Sequence, residues 1–254
     1  MYSQEMVTVT EIIYGKDLLS QGGTVKIGEM FADIMLDGKK ALDIGAGLGG
    51  VDFYLAHNYN VEIVAIDPEL FIVQEAQKRL TEHAHTLKGS ITFQHHTENA
   101  LVQFADESFD VVFSKESLLH VPVDQKVTFL QEMHRILKPE GFLIIIDWLH
   151  STPEYSPELQ EMMTIDAIPY NLITPDRYKQ DLIDAGFYNY IYTDLTEQYG
   201  SFTLQDCERI KEKKQDIVQF LGDEAYESYL KGWTIQHRAM ADREILVCSF
   251  RAQK

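Results

Sequence analysis

From about residue 40 to 147, short apolar runs alternate with stretches whose apolar positions recur every three or four residues. That is the pattern of strands separated by amphipathic helices. Lys40-Ala41-Leu42-Asp43-Ile44 is a short strand ending at a cluster of glycines, and the helix expected after it carries Val51, Tyr54 and Leu55 on one side. Val61 to Asp67 predicts a second strand, and Pro68 to His83 a long helix with proline at its start, where a missing N–H costs nothing. Ser90 to Gln94 reads as a third strand. Phe109 to Ser114 reads as a fourth, apolar nearly throughout, as a strand buried on both faces must be. The spacing of Val127, Leu130, Met133 and Leu137 predicts a helix over 123–137. Lys138-Pro139-Glu140-Gly141 is a turn by composition, leading into a fifth strand, Phe142 to Asp147.

The rhythm breaks over 148–180, which holds four of the seven prolines and several aromatics. An insertion at the C-terminal end of a strand lies where open α/β sheets keep their ligands, so this segment is expected to roof a site. A helix over about 175–185, closed by Gly186, restores the alternation. Two further strands are expected near Tyr188–Thr193 and Ile245–Phe250, with helices between them and the last pair antiparallel. The fold class is therefore α/β: a doubly wound, seven-stranded, mostly parallel sheet with an inserted roof after strand five. One domain over 1–254 suits this length.

Composition narrows the partners more than the fold. Twenty-two basic against 40 acidic residues give a formal charge of -18, which repels phosphate backbones and anionic lipid. Nucleic acid and membrane are not expected partners. Cys207 and Cys248 are the only cysteines, too few for a disulfide framework or a zinc site, and no metal is expected. The first residues lack the basic and apolar regions of a signal peptide, and no apolar run approaches the roughly 20 residues of a membrane span. A cytoplasmic monomer is the expectation.

The glycine turn carries the chemistry. Gly45, Gly47 and Gly50 satisfy G-x-G-x-x-G, a spacing that lets a ligand approach the backbone beside a helix N-terminus. Taken alone it admits a dinucleotide. Asp43, two residues before the first glycine, would repel a pyrophosphate and could hold a cationic amino-acid group. Asp67 closes the second strand 24 residues later, placed for ribose hydroxyls in either cofactor class. Glu98 and Asn99 follow the third strand, where an acid or amide could read an adenine edge.

Ala41-Leu42-Asp43-Ile44-Gly45-Ala46-Gly47-Leu48-Gly49, Ile66-Asp67, Phe109-Asp110-Val111-Val112-Phe113-Ser114 and Leu137-Lys138-Pro139-Glu140-Gly141-Phe142 together resemble the class I S-adenosylmethionine-dependent methyltransferases. That resemblance implies a Rossmann-like fold and S-adenosylmethionine as cofactor. Within that class, Tyr14-Gly15-Lys16-Asp17-Leu18-Leu19-Ser20-Gln21-Gly22-Gly23 looks like the segment that folds over the cofactor in phosphoethanolamine N-methyltransferases. The resemblance implies cofactor contacts from Leu19 and Ser20, in a covering segment over 1–38. It adds Pro68, Ser114 and Lys115, the last at the family's arginine position, to Asp43, Gly45, Gly47, Asp67, Glu98 and Asn99. Ser114-Lys115-Glu116-Ser117-Leu118-Leu119-His120 is similar to the family's histidine segment, and ungapped counting from Tyr14-Gly15 puts Tyr2 at its tyrosine. His120 and Tyr2 are thus the implied catalytic pair. An amine must lose a proton to attack a methylsulfonium, and a histidine with a pKa near about 6.5 can take it.

The substrate pocket departs from that family. Its terminal tyrosine is retained as Tyr170, but its arginine position falls at Ile168, an earlier tyrosine at or near Thr164, its tyrosine after strand five at Trp148, and its lysine at Gln236. A buried phosphate without a cationic partner is costly, and only Arg177, Lys179, Arg238 and Arg243 stand near enough in sequence to compensate. Trp148 and Tyr170 are the expected substrate contacts, suited to an amine or ammonium. The remaining histidines at 83, 85, 95 and 96 read as surface residues. The expected function is methyl transfer from S-adenosylmethionine to a small molecule, an amine before others. O- or C-methylation and a binding protein without activity stay open, because the motifs specify the donor and not the acceptor. The core is placed at 39–147, the roof at 148–180 and the completion of the sheet at 181–254.

Overall fold

The computed structural model describes residues 3–96 and 100–254. Seven strands form one sheet: β1 (Lys40–Ile44), β2 (Glu62–Asp67), β3 (Ser90–His95), β4 (Phe109–Lys115), β5 (Leu137–His150), β6 (Tyr188–Asp194) and β7 (Ile245–Gln253), in the spatial order β3-β2-β1-β4-β5-β7-β6. The pairings from β3 to β5 are parallel, whereas β7 runs antiparallel to both β5 and β6. The chain order reverses between β1 and β4, and their C-terminal ends diverge into the crevice where such sheets bind ligands.

Ten helices are described: α1 (Gln4–Tyr14), α2 (Gly23–Phe31), α3 (Gly50–Asn58), α4 (Leu70–His83), α5 (Lys126–Ile136), α6 (Pro157–Asp166), α7 (Pro175–Asp184), α8 (Thr196–Glu212), α9 (Lys214–Leu221) and α10 (Asp223–Ala241). The two faces of the sheet carry separate apolar layers. One joins Phe31, Phe53, Phe113 and Trp148 with residues of α2, α3, α6, α8 and α10. The other joins Leu42, Phe109, Leu143 and Phe250 with α5 and α7. Along β1 and β4, alternate residues feed the two layers, which is why these strands read as continuous apolar runs.

Local chemistry explains most boundaries. Two of the prolines that broke the pattern, Pro157 and Pro175, open helices, with the Ser156 and Thr174 hydroxyls accepting from the Leu159 and Arg177 amides as N-caps do. Helix α5 starts three residues later than its periodicity suggested, because Gln125 N closes a turn on Pro122 O. The run Lys138–Gly141, expected as a turn, lies within the extended β5. Its irregularity is a bulge: Glu140 takes φ 61° and the pairing with β4 shifts register between Phe109 and Val111.

The N-terminal helix is where tertiary packing adds most. Val9 and Ile13 of α1 join Cys207, Ile210, Ile217, Tyr226 and Trp233 in a cluster away from the sheet. The first and last parts of the chain therefore close on one another, and the segment between α1 and α2 is carried across the C-terminal edge of β1. No described helix is long and apolar enough to cross a membrane.

Candidate active site

At that edge lies a cleft of about 320 Å³, at the lower limit for a small-ligand site. Its floor is the glycine turn. Gly45 has φ +82°, and a Cβ there would fall 1.9 Å from Ser117 Oγ. Only glycine lets the turn pass so close under the 114–120 loop. Gly47 (φ +56°) donates its amide to Asp67 Oδ2 at 3.0 Å, and a Cβ on it would meet Leu19 at 3.1 Å. The segment preceding α2 therefore rests directly on the turn.

Leu19, Ser20, Asp43, Gly45, Gly47, Asp67, Pro68, Lys115 and His120, all singled out from the sequence, line this one cleft. Asp67 accepts from the Gly47 and Glu69 amides, yet each carboxylate oxygen keeps a lone pair for a hydroxyl. Burial raises its pKa. Lys115 Nζ donates to Ser20 Oγ (2.7 Å), Gln21 O (2.8 Å) and Glu116 Oε1 (2.5 Å), so its three donors fasten the covering segment to β4. Ser114 is different. It is fully buried behind the turn, donating to Ile44 O at 2.8 Å, and it does not line the cleft. Its position in a matched segment reflects packing against β1. Tyr2, Glu98 and Asn99 lie outside the described residues.

His120 ends a single 3₁₀ turn, Leu118–His120. Asp147 Oδ1 accepts from Leu119 N (3.0 Å), Lys126 Nζ donates to Leu118 O (2.6 Å), and Asn171 Nδ2 donates to His120 O (3.0 Å). Three elements thus hold the turn from below. His120 Nδ1 lies 2.6 Å from Pro169 O. A carbonyl only accepts, so Nδ1 carries the proton and Nε2 presents its lone pair. Burial, and secondarily the Lys126 charge, hold the His120 pKa below the ordinary value, which keeps the ring neutral near pH 7.

Tyr170 bridges this histidine to Trp148, with ring centroids 5.9 Å from His120 and 6.0 Å from Trp148. Its hydroxyl donates to Asp166 Oδ2 at 2.6 Å, a carboxyl whose pKa burial raises. Both rings stand one layer behind the cleft wall, which here is Ile168 and Pro169. Trp148 Nε1 and Gln236 Nε2 are buried with no hydrogen-bond partner among the described residues. Thr164 is an exposed residue of α6 bonded to Gln160 O. The four candidate replacements for a phosphate clamp are engaged elsewhere: Arg177 with Asp181, Lys179 with Asp176, Arg238 with Glu158 and Arg243 with Asp194. None lines the cleft.

Asp17, Glu69 and Glu116 of the wall, and Asp52 behind it, escaped the sequence reading. Asp17 pairs with Arg79 (3.1 Å), which also binds Glu11 and Glu75, and with His83. His83 is consequently not a surface residue: it stacks on Phe53 at 4.1 Å and bonds Asp17 and His57. Glu116 adopts φ 56° and shares Oε1 between Lys115 and the Tyr199 hydroxyl. Asp52 of α3 lies fully buried beside Asp43. A carboxylate in a G-x-G-x-x-G-x-D run was the one available signal for Asp52. For Asp17 and Glu116 the partners are distant in sequence, and no local signal exists.

A methyltransferase-domain family model matches residues 42–145, the stretch holding the turn, Asp67 and His120. Residues 42–145 thus match a methyltransferase domain, and the seven-stranded sheet that holds them has the class I methyltransferase fold. Among curated proteins, the chain is 32% identical over 235 residues to phosphoethanolamine N-methyltransferase 3 of Arabidopsis thaliana, covering 91% of this chain and 46% of that protein. It is 28% identical to the phosphoethanolamine N-methyltransferase of Plasmodium falciparum, covering 92% of this chain and 85% of that one. The chain spans about half the length of the first plant relatives it matches. Phosphoethanolamine N-methyltransferase 2 of Haemonchus contortus, solved with phosphomonomethylethanolamine and S-adenosylhomocysteine, superposes with TM-score 0.86 at 23% identity, over 100% of this chain and 58% of that one.

Proposed function

We propose that the protein transfers a methyl group from S-adenosylmethionine to the nitrogen of a small amine that carries no phosphate. The observation that carries this reading is the charge of the cleft. Among the described residues Asp17, Asp43, Asp67, Glu69 and Glu116 line it against a single cation, Lys115. Asp17 is paired with Arg79 and Lys115 is held by Glu116, Ser20 and Gln21, which leaves Asp43, Asp67 and Glu69 without a basic partner there. Such walls favour cationic ligands and oppose a dianion. Ile168 in the wall, where the family resemblance implies an arginine, offers no donor.

S-Adenosylmethionine supplies a methyl group on a sulfonium. Asp43 and the glycine turn take its amino-acid end, Asp67 and Pro68 its ribose, with Leu19 and Ser20 closing over it, and Glu98 and Asn99 belong to its adenine end. Glu116 orients the amine. His120 Nε2 accepts the proton that nitrogen must give up, while the Nδ1 bond to Pro169 keeps the ring in the accepting tautomer. Tyr170 and Trp148 back the ring, and Tyr2 belongs with His120 in the catalytic pair. The nitrogen lone pair forms the new N–CH₃ bond as the S–CH₃ bond breaks, so the residues' work is alignment and proton removal. Residues 1–38 act as the cover and 148–180 as the roof. The acidic surface supports a function away from nucleic acid.

The test is release of S-adenosylhomocysteine from S-adenosylmethionine with ethanolamine, phosphoethanolamine, glycine and catechol in turn. Turnover with a phosphate-free amine supports the reading. Turnover with catechol alone replaces it with O-methylation, and silence across the panel removes the enzymatic role.

A further inference from the structure

The transfer step makes no use of Asp52, the third residue of α3. Asp43 is 2% exposed at the end of β1 and lines the cleft; Asp52 is 0% exposed directly behind it. Their carboxyl groups lie within hydrogen-bond reach of each other. Neither Asp52 oxygen receives an N–H or O–H from any other described residue. Among the described residues no cation pairs with either carboxyl, and the Ile44 and Asp52 amides relieve the charge only in part. Asp67 on β2 adds a like charge. Asp17 of the covering segment, Glu69 before α4, and Glu116 and His120 of the 114–120 loop line the same cleft as Asp43. Lys115 is tied to Glu116.

Two carboxylates in contact without a cation cannot both ionise. One proton held between them satisfies both, as an O–H···O bond. A cation seated against Asp43 from the cleft removes the need for it. We propose that Asp52 is a positioning residue: it keeps a proton on the Asp43–Asp52 pair in the empty cleft, and seating the α-ammonium of the methyl donor releases that proton to solvent. The pair then carries two negative charges against the incoming positive one. This rests on the assignment of S-adenosylmethionine as cofactor. Donor affinity consequently rises with pH through the titration of the pair, because protons compete with the donor below it.

Calorimetric titration of the protein with S-adenosylmethionine, in two buffers of different ionisation heat, measures the protons released. At a pH of about 6.5 the donor's α-amino group remains protonated. Wild-type protein should release about one proton per donor bound, as expected for a single shared proton. 5′-Methylthioadenosine, which lacks both the ammonium and the sulfonium, should bind with release near zero. In Asp52→Asn the amide donates to an ionised Asp43, so release falls toward zero and the pH dependence of donor affinity flattens. Release near zero for S-adenosylmethionine in the wild type overturns the proposal, as does unchanged release in Asp52→Asn. Equal release with 5′-methylthioadenosine also overturns it, and that comparison needs no variant. Failure of S-adenosylmethionine to bind at all overturns the cofactor assignment instead, and this proposal with it.

Discussion

At the end of the cleft proposed for the donor the chain works mainly through backbone, with left-handed glycines between β1 and α3 and one carboxylate near the end of each of β1 and β2. At the end proposed for the acceptor it works through side chains brought from three places: His120 of the 114–120 loop lines the cleft, and Tyr170 after α6 and Trp148 of β5 stack in turn beside it. The first arrangement is local in sequence and admits few alternatives. The second is a tertiary construction, each member held by partners distant along the chain, and it is free to change without disturbing the first.

That contrast can be broken most severely at the turn. Gly45→Ala places a Cβ against Ser117 in a backbone region that costs on the order of 1–3 kcal/mol for other residues. Donor affinity should fall by more than about tenfold on the arithmetic of 1.4 kcal/mol per decade, read by calorimetry. An unchanged affinity means the turn is not the donor site. His120→Ala should lower kcat by about 10²–10⁴, the usual share of a general base, and leave donor affinity within about twofold. If both fall together, the two ends are not separable. In the wild type the base must be unprotonated, and burial lowers the His120 pKa. The rate should therefore fall with acid only below the ordinary histidine range. A profile that declines at or above that range places the proton elsewhere.

Smaller effects sharpen the comparison. Glu116→Gln removes a charge shared with Lys115 and Tyr199. KM for the amine should rise by roughly tenfold, the effect of losing one charge-assisted hydrogen bond, while the donor is little affected. A change confined to donor binding would move Glu116 to the other end. Ser114→Ala should cost about 1 kcal/mol of stability, the usual value of one buried hydrogen bond, with donor affinity unchanged. A larger loss of affinity than of stability would return Ser114 to the cofactor set.

What the sequence revealed follows the same division. β1, β2 and β4 were legible because burial on both faces leaves an uninterrupted apolar record. The glycines were legible because a turn with positive φ has one common solution. The cleft gathered nine of the residues singled out, since each sits at the end of its own strand or loop. What stayed hidden depends on contacts between distant elements. α1 packs on the C-terminal helices, His83 is drawn inward by Asp17 and Phe53, and the Lys138–Gly141 run is taken into β5 as a bulge beside β4. Ser114 shows the converse limit, a matched motif position whose hydroxyl serves β1 instead of a ligand. At the acceptor end the substitutions at Ile168 and Gln236 announced a change. The engagement of Arg177, Lys179, Arg238 and Arg243 with other acids is what removes a replacement clamp from the cleft.

The central claim is that this cleft methylates an amine that carries no phosphate, and its most direct test is a ratio. With S-adenosylmethionine saturating, kcat/KM for S-adenosylhomocysteine release should be at least about tenfold higher with ethanolamine than with phosphoethanolamine, the least expected for a phosphate left without a cation. The inverse ratio would show that phosphate is bound after all, and would contradict the account.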